Sequence, residues 1–225
     1  MILGELRDHP ALLLCASAGG TPTETYGCLA RQAQRSPERF SRLRILQIDE
    51  WAGLPHDHPA TCNSDLRTKL VAPLRVSDRR YTSFRSDAED PAAECERISR
   101  WLAKNGPIDV CILGLGLNGH IAMNEPASSA QPNAHVATLA PGSRKHPLLQ
   151  ALARKPRFGL TLGMGDILRS RKLLLLVSGG KKRATLQRLL QPDVTPRFPV
   201  SFLWLHPDAT VLCDRAAAPE SSSFS

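Results

Sequence analysis

PIDVCILGLGLNGHIAMNEP, residues 107 to 126, changes character half-way along. Ile108 to Leu113 is an apolar run of strand length with β-branched residues and bounding glycine, the pattern of a strand buried on both faces of a parallel sheet. The second half places Gly114, Gly116 and Gly119 around Asn118, followed by His120, Asn124 and Glu125. A strand that runs into a glycine-rich turn carrying an imidazole and a carboxylate is where open α/β sheets put their chemistry. His120 and Glu125 are five positions apart. On a turn followed by a short helix, Glu125 folds back to hold one ring nitrogen and leaves the other free, which makes a base with an orienting partner. By residue type alone, a satisfied loop histidine with glycines that serve only a tight turn fits equally well.

Working outward, the same plan of strand, turn and helix repeats. Ile2 to Arg7 is a helical fragment and Ala11 to Ser17 an apolar strand. Ala18-Gly19-Gly20 breaks that strand, and a helix runs from Thr21 to about Gln34. Thr21 as N-cap, Pro22 at the first helical position and Glu24 at the third form a capping box. A strand, a Gly-Gly turn and a helix N-terminus together cradle an anion, because amide N–H groups and the helix dipole point to one place; an ordinary βα turn has the same sequence. Arg44 to Ile48 is a short strand that ends in Asp49-Glu50-Trp51. Acids at the carboxyl end of a parallel strand lie on the ligand side, and neighbours on a strand face opposite ways, so only one of Asp49 and Glu50 faces the site.

Asn63 to Leu74 reads as a helix, Arg80 to Phe84 as a strand and Asp90 to Lys104 as an amphipathic helix. After the organising strand come a strand at His135 to Leu139, a helix at Ser143 to Ala153 and a strand at Arg157 to Leu162. Lys172 to Val177, strongly apolar, runs into Ser178-Gly179-Gly180-Lys181-Lys182 and a helix to Leu190, which repeats the first Gly-Gly unit with lysines added. That loop lacks the spacing of a nucleotide-binding Walker loop. Pro199 to Leu205 and Ala209 to Cys213 close the fold. Alternating elements of these lengths predict an α/β fold with a mostly parallel sheet and helices on both faces. One domain over residues 1 to 215 is expected, followed by a disordered Ser-rich tail, 216 to 225.

Composition narrows the function. Six cysteines at 15, 28, 62, 95, 111 and 213 show no paired spacing and several fall inside apolar runs, so they read as reduced thiols of a cytoplasmic protein. No apolar run approaches the ~20 residues of a membrane span, so no membrane partner is expected. The net charge of +8 comes from scattered Lys and Arg with few aromatics and no basic block longer than Lys181-Lys182-Arg183. That argues against a nucleic-acid footprint and suits an anionic small substrate.

The string from Gly116 to Pro126, Gly-Leu-Asn-Gly-His-Ile-Ala-Met-Asn-Glu-Pro, resembles the signature of the glucosamine-6-phosphate deaminase/isomerase family, which belongs with the 6-phosphogluconolactonases. The resemblance extends from about Leu12 to about Asp214. It is closest to the galactosamine-6-phosphate branch in Ile48-Asp49-Glu50-Trp51, Ser83-Phe84-Arg85-Ser86, Asp109 to Gly114 and Ser201 to His206. It implies a Rossmann-like domain that opens a pyranose amino-sugar 6-phosphate, moves a proton from C2 to C1 and expels ammonia, with no cofactor or metal. In that reading His120 is the ring-opening base, Asn118 and Glu125 orient it, Asp49 is the enolisation base, and Gly19, Gly20, Thr21 and Lys182 hold the sugar phosphate. Glu50 is then structural. The family arginine on the phosphate is not placed; Arg144 and Arg157 are nearby candidates. Self-association stays open.

Two departures stand out. Glucosamine-type members carry Asp two residues before the histidine, where this chain has the uncharged Asn118, as galactosamine-branch members do. Family members also begin with a further strand and much of a helix, of which only Ile2 to Arg7 is present. A lactonase is disfavoured because its loop reads Gly-His-Thr-Ala-Ser-Leu-Phe. A sugar-phosphate sensor is disfavoured because there is no room for a DNA-binding unit before Leu12.

Overall fold

The computed structural model describes residues 1–219. Its central strands are those whose sequences are apolar apart from the Lys172 that opens the last: β1 (Leu13–Ala16), β5 (Val110–Gly114) and β8 (Lys172–Val177). With β2 (Arg44–Gln47), β4 (Tyr81–Thr82) and β9 (Ala209–Cys213) they form a six-stranded sheet in the order β4-β2-β1-β5-β8-β9. Every pairing in it is parallel. Counted in chain order these six strands run 3-2-1-4-5-6, the doubly wound arrangement whose crevice opens where the order reverses. Here the reversal lies between β1 and β5, so the loops after Ala16 and after Gly114 share one mouth.

The pleat of the main sheet sorts the core on its two faces into two clusters, and a third gathers Trp51, Met123, Leu139 and Leu149 by the antiparallel strands. Leu13, Cys15, Leu46, Cys111, Leu113, Leu173 and Leu175 face one side, where α4 (Pro91–Asn105), α5 (Met164–Leu168) and α6 (Arg183–Leu189) supply Cys95, Ile98, Met164, Ile167, Leu186 and Leu189. Leu12, Leu14, Ala16, Ile45, Val110, Ile112, Leu174 and Leu176 face the other, against α1 (Ile2–Asp8), α2 (Thr23–Arg35) and the helix that opens with α3 (Cys62–Leu66) and continues as a π turn to Val71. Helices therefore cover both faces, as expected. Asp90 caps α4 by accepting from the Ala92 and Ala93 amides, with Pro91 at the first helical position.

A second sheet is absent from the sequence reading. The strand at Arg44 stops at Gln47, and the next residues, β3 (Asp49–Trp51), leave the main sheet to pair antiparallel with β7 (Phe158–Thr161), whose other edge pairs with β6 (His135–Thr138). Three further expectations are corrected. α2 starts at Thr23, because a turn closed by Thr23 N–H on the Gly20 carbonyl uses up the residues meant for a cap; Pro22 stands at the N-cap and no capping box forms. Ser143 to Ala153 is two 3₁₀ turns, Ser143–Lys145 and Pro147–Leu149, since Pro147 holds His146 extended and interrupts the helix. Strand β4 keeps only two of the residues from Arg80 to Phe84. The Ser-rich tail falls mainly on residues 220–225, outside the described residues; before them, Ala217 is fully buried and its amide bonds Asp214, so that part of the tail is ordered.

Candidate active site

The turn after β5 is not followed by a helix. Ile121 and Asn124 close an isolated antiparallel bridge instead, and the Asn124 amide holds the Leu162 carbonyl at 2.9 Å while Met123 N–H reaches Thr161 Oγ1 at 3.2 Å. Thus β7 carries the turn on its back. Two glycines are dictated by contact: a Cβ on Gly116 would overlap the His120 ring, and Gly119, at φ +86°, would drive a side chain into Phe198. Val200 N–H to the Gly119 carbonyl (2.8 Å) and Thr185 Oγ1–H to the Leu117 carbonyl (2.8 Å) fasten the turn from the carboxyl-terminal third of the chain.

Within this turn, Asn118 stands between His120 and Glu125. Its Oδ1 lies 2.7 Å from His120 Nδ1, and its Nδ2 donates to Glu125 Oε2 at 2.8 Å. A carbonyl oxygen only accepts, so His120 Nδ1 carries a proton and the neutral ring has its lone pair on Nε2. Nε2 has no partner among the described residues. Glu125 and His120 Nδ1 are 3.6 Å apart, too far for a direct hydrogen bond, so the carboxylate orients the ring through the amide. Ser143, missed in the sequence, donates to Glu125 Oε1 and lies 3.5 Å from His120 Nδ1. Burial pushes the Glu125 carboxyl up, but His120 and the hydrogen bonds of Ser143 and Asn118 outweigh it and hold it well below the usual carboxylate range.

Asp49 and Glu50 part ways as a strand requires. Glu50 is fully buried and saturated, accepting from Gln47 Nε2 and from the amides of Trp51, Cys62 and Asn63 at 2.8 to 2.9 Å. It thereby ties β3 to the first turn of α3, where a helix favours negative charge. Asp49 is 8 % exposed and its carboxylate has no hydrogen-bond partner among the described residues. Burial, with the neighbouring Glu50 charge, raises it to about 7. A carboxylate that changes state near neutral pH is matched to the work of a general base.

At the other lip, Gly20 and Thr21 present amide N–H groups that meet no acceptor among the described residues. The Gly19 amide is different: it donates to Asp65 Oδ2 at 2.8 Å, and its carbonyl accepts from Lys69 Nζ at 3.0 Å. Gly19 therefore shapes the loop without lending a donor. The loop after β8 comes alongside, with Ser178 Oγ 3.4 Å from Thr21 Oγ1. Lys182, half-buried and lowered by that burial, has no anionic partner among the described residues. Arg157 lies over the Phe158 ring at 6.0 Å, on the antiparallel sheet.

The family model for glucosamine-6-phosphate isomerases and 6-phosphogluconolactonases matches residues 2–212. This chain belongs to that family. A family protein of Escherichia coli K12, AgaI, provisionally named a deaminase, is 38 % identical over 91 % of this chain and 81 % of its own. Glucosamine-6-phosphate deaminase 1 of Bacillus subtilis is 34 % identical over 95 % of this chain and 89 % of its own. A solved family structure described as a monomeric glucosamine-6-phosphate deaminase superposes with a TM-score of 0.89 at 33 % identity, covering 96 % of this chain and 90 % of that one. The 6-phosphogluconolactonase of Trypanosoma brucei, at 20 % identity and TM-score 0.74 over 96 % and 89 %, shares the fold. None of the described helices is long and apolar enough to cross a membrane.

Against this family frame, the expected Asp49, Asn118, His120, Glu125, Gly20, Thr21 and Lys182 all lie on loops at the carboxyl ends of the strands or on β3. Ser143 and His146, whose ring lies 5.5 Å from that of Trp51, were not legible as site residues; both sit in the stretch read as a helix that is instead two 3₁₀ turns. A separate cavity of about 560 Å³ lies behind Glu125, between β6 and Pro199, and includes none of Asp49, His120 or Lys182.

Proposed function

We propose that this chain is an amino-sugar 6-phosphate deaminase/isomerase that converts galactosamine 6-phosphate and water into tagatose 6-phosphate and ammonia. His120 Nε2 takes the proton of the C1 hydroxyl and returns one to the ring oxygen, which opens the pyranose. Asp49 then removes the C2 proton, giving an enolamine, and delivers a proton to C1. Water adds to the resulting C2 imine, ammonia leaves, and a C2 ketone remains. Lys182 with the Gly20 and Thr21 amides holds the phosphate, a remote handle whose binding energy positions C1 and C2; Gly19 takes part through its conformation.

The observation that carries this reading is a pair of bases with separate tasks: an imidazole oriented by a neutral amide with Nε2 free, and a buried carboxylate raised to about 7. A proton removed next to an imine or carbonyl needs the second of these. The galacto assignment is supported by the branch-like segments at Ile48–Trp51, Ser83–Ser86 and Ser201–His206 and by Asn118. The test is ammonia release by the purified protein from galactosamine 6-phosphate and glucosamine 6-phosphate in parallel, with 6-phosphogluconolactone hydrolysis as the third arm. Faster release from the galacto substrate is expected. Release only from the gluco substrate moves the enzyme to the other branch, and lactone hydrolysis alone overturns the proposal.

A further inference from the structure

His146 Nδ1 accepts a hydrogen bond from the Leu148 amide at 3.3 Å, which caps the short turn that Pro147 begins. An accepting Nδ1 leaves the proton of the neutral ring on Nε2. That nitrogen lies against the anion loop, since a Cβ built on Gly19 would stand 3.2 Å from it, and it has no partner among the described residues. The His146 amide donates to the Ser143 carbonyl at 3.1 Å, so the ring stands between the Gly19 loop and the residue that holds Glu125, within the influence of Asp65, Lys69 and Lys182. Asp65, the one carboxylate among these, is neutralised by Lys69 at 2.5 Å and by the Gly19 amide, and it does not set up repulsion against an anion. Burial and the two lysines keep the imidazole in the neutral form that this tautomer requires.

We propose that His146 is a phosphate ligand of this site, its Nε2–H donating to a phosphate monoester held against the Gly19 loop together with Lys182. The role rests on the sugar-phosphate reading above. It supplies from an imidazole a donor to the loop whose Gly19 amide is taken by Asp65.

Two isosteres separate the ring's two nitrogens. His146→Asn keeps an acceptor near the Nδ1 position for the Leu148 amide and loses the distal donor, whereas His146→Gln reaches with an N–H to the Nε2 position. Binding of inorganic phosphate by titration calorimetry, and KM against kcat for the hexosamine phosphate, are measured for both beside Lys182→Ala. His146→Asn should weaken phosphate about tenfold or more, as loss of a hydrogen bond to a charged group does, and raise KM with kcat little changed; His146→Gln should restore most of both. Phosphate affinity lost in Lys182→Ala but unchanged in His146→Asn overturns the role of His146 alone. A fall in kcat with phosphate affinity intact moves the imidazole to the sugar and overturns it too. A wild-type protein that binds no phosphate overturns the phosphate site itself. Because binding is read without turnover, a protein that binds phosphate through His146 yet releases no ammonia leaves this inference standing and removes the deaminase reading.

Discussion

Asp49 is ionised in an environment that disfavours its charge, and the penalty has a measurable sign. Its carboxyl titrates near 7 in the folded chain and in the ordinary Asp range when unfolded. The folded state therefore binds the extra proton between those values and loses stability as pH rises through them. At about 1.4 kcal/mol per pKa unit the penalty above pH 7 is on the order of a few kcal/mol. Asp49→Asn should accordingly abolish turnover, retain substrate binding, and raise the melting temperature at pH 8, with the gain gone below pH 4; thermal scans across that range check it. Glu50→Gln removes the second cause of the raised value, so the acid limb of kcat/KM should move to lower pH; it also turns an amide N–H toward two of the four donors that Glu50 accepts from, so the melting temperature should fall. At His120, replacement by Gln should slow the pyranose substrate more than an open-chain analogue, and equal losses would take ring opening away from it.

The elements divide by what their sequences can say. Strands β1, β5 and β8 were legible because a strand covered on both faces must be apolar throughout, and Val110 to Gly114 could be read with its chemistry-bearing turn attached. Residues Asp49 to Trp51 were legible as site residues but not as a strand of another sheet, since three residues carry no period and the pairing with β7 is a contact over a hundred residues away. The helix expected from Ser143 fails at one proline, and Ser143 and His146 went unseen because their place in the site follows from that break. The role of Asn118 as the amide between ring and carboxylate required distances. Gly119→Ala tests the turn as an element: with φ +86° and Phe198 filling the space, a methyl group should destabilise the protein by about 1–3 kcal/mol by overpacking, read in denaturant midpoints, and lower kcat further by displacing His120.

Across the whole molecule, a net charge of +8 surrounds a site proposed to take an anion. Salt should therefore raise KM for the sugar phosphate while leaving kcat flat, because exposed charges are screened and the proton transfers occur inside. Lys182→Ala should raise KM about ten- to hundredfold, the weight of a hydrogen bond to a charged group, and flatten that salt dependence; steady-state kinetics at several ionic strengths checks both. The clasp on the catalytic turn has a temporal side. Thr185, Phe198 and Val200 grip residues 117 to 119 from nearly the far end of the chain. Since a ribosome delivers only about 5–20 residues each second, the turn is made several seconds before its fasteners exist. The nascent chain can extend through β1, β2 and β5 before these fasteners exist, and the turn that carries His120 is held in the position seen here only once residue 200 has left the exit tunnel.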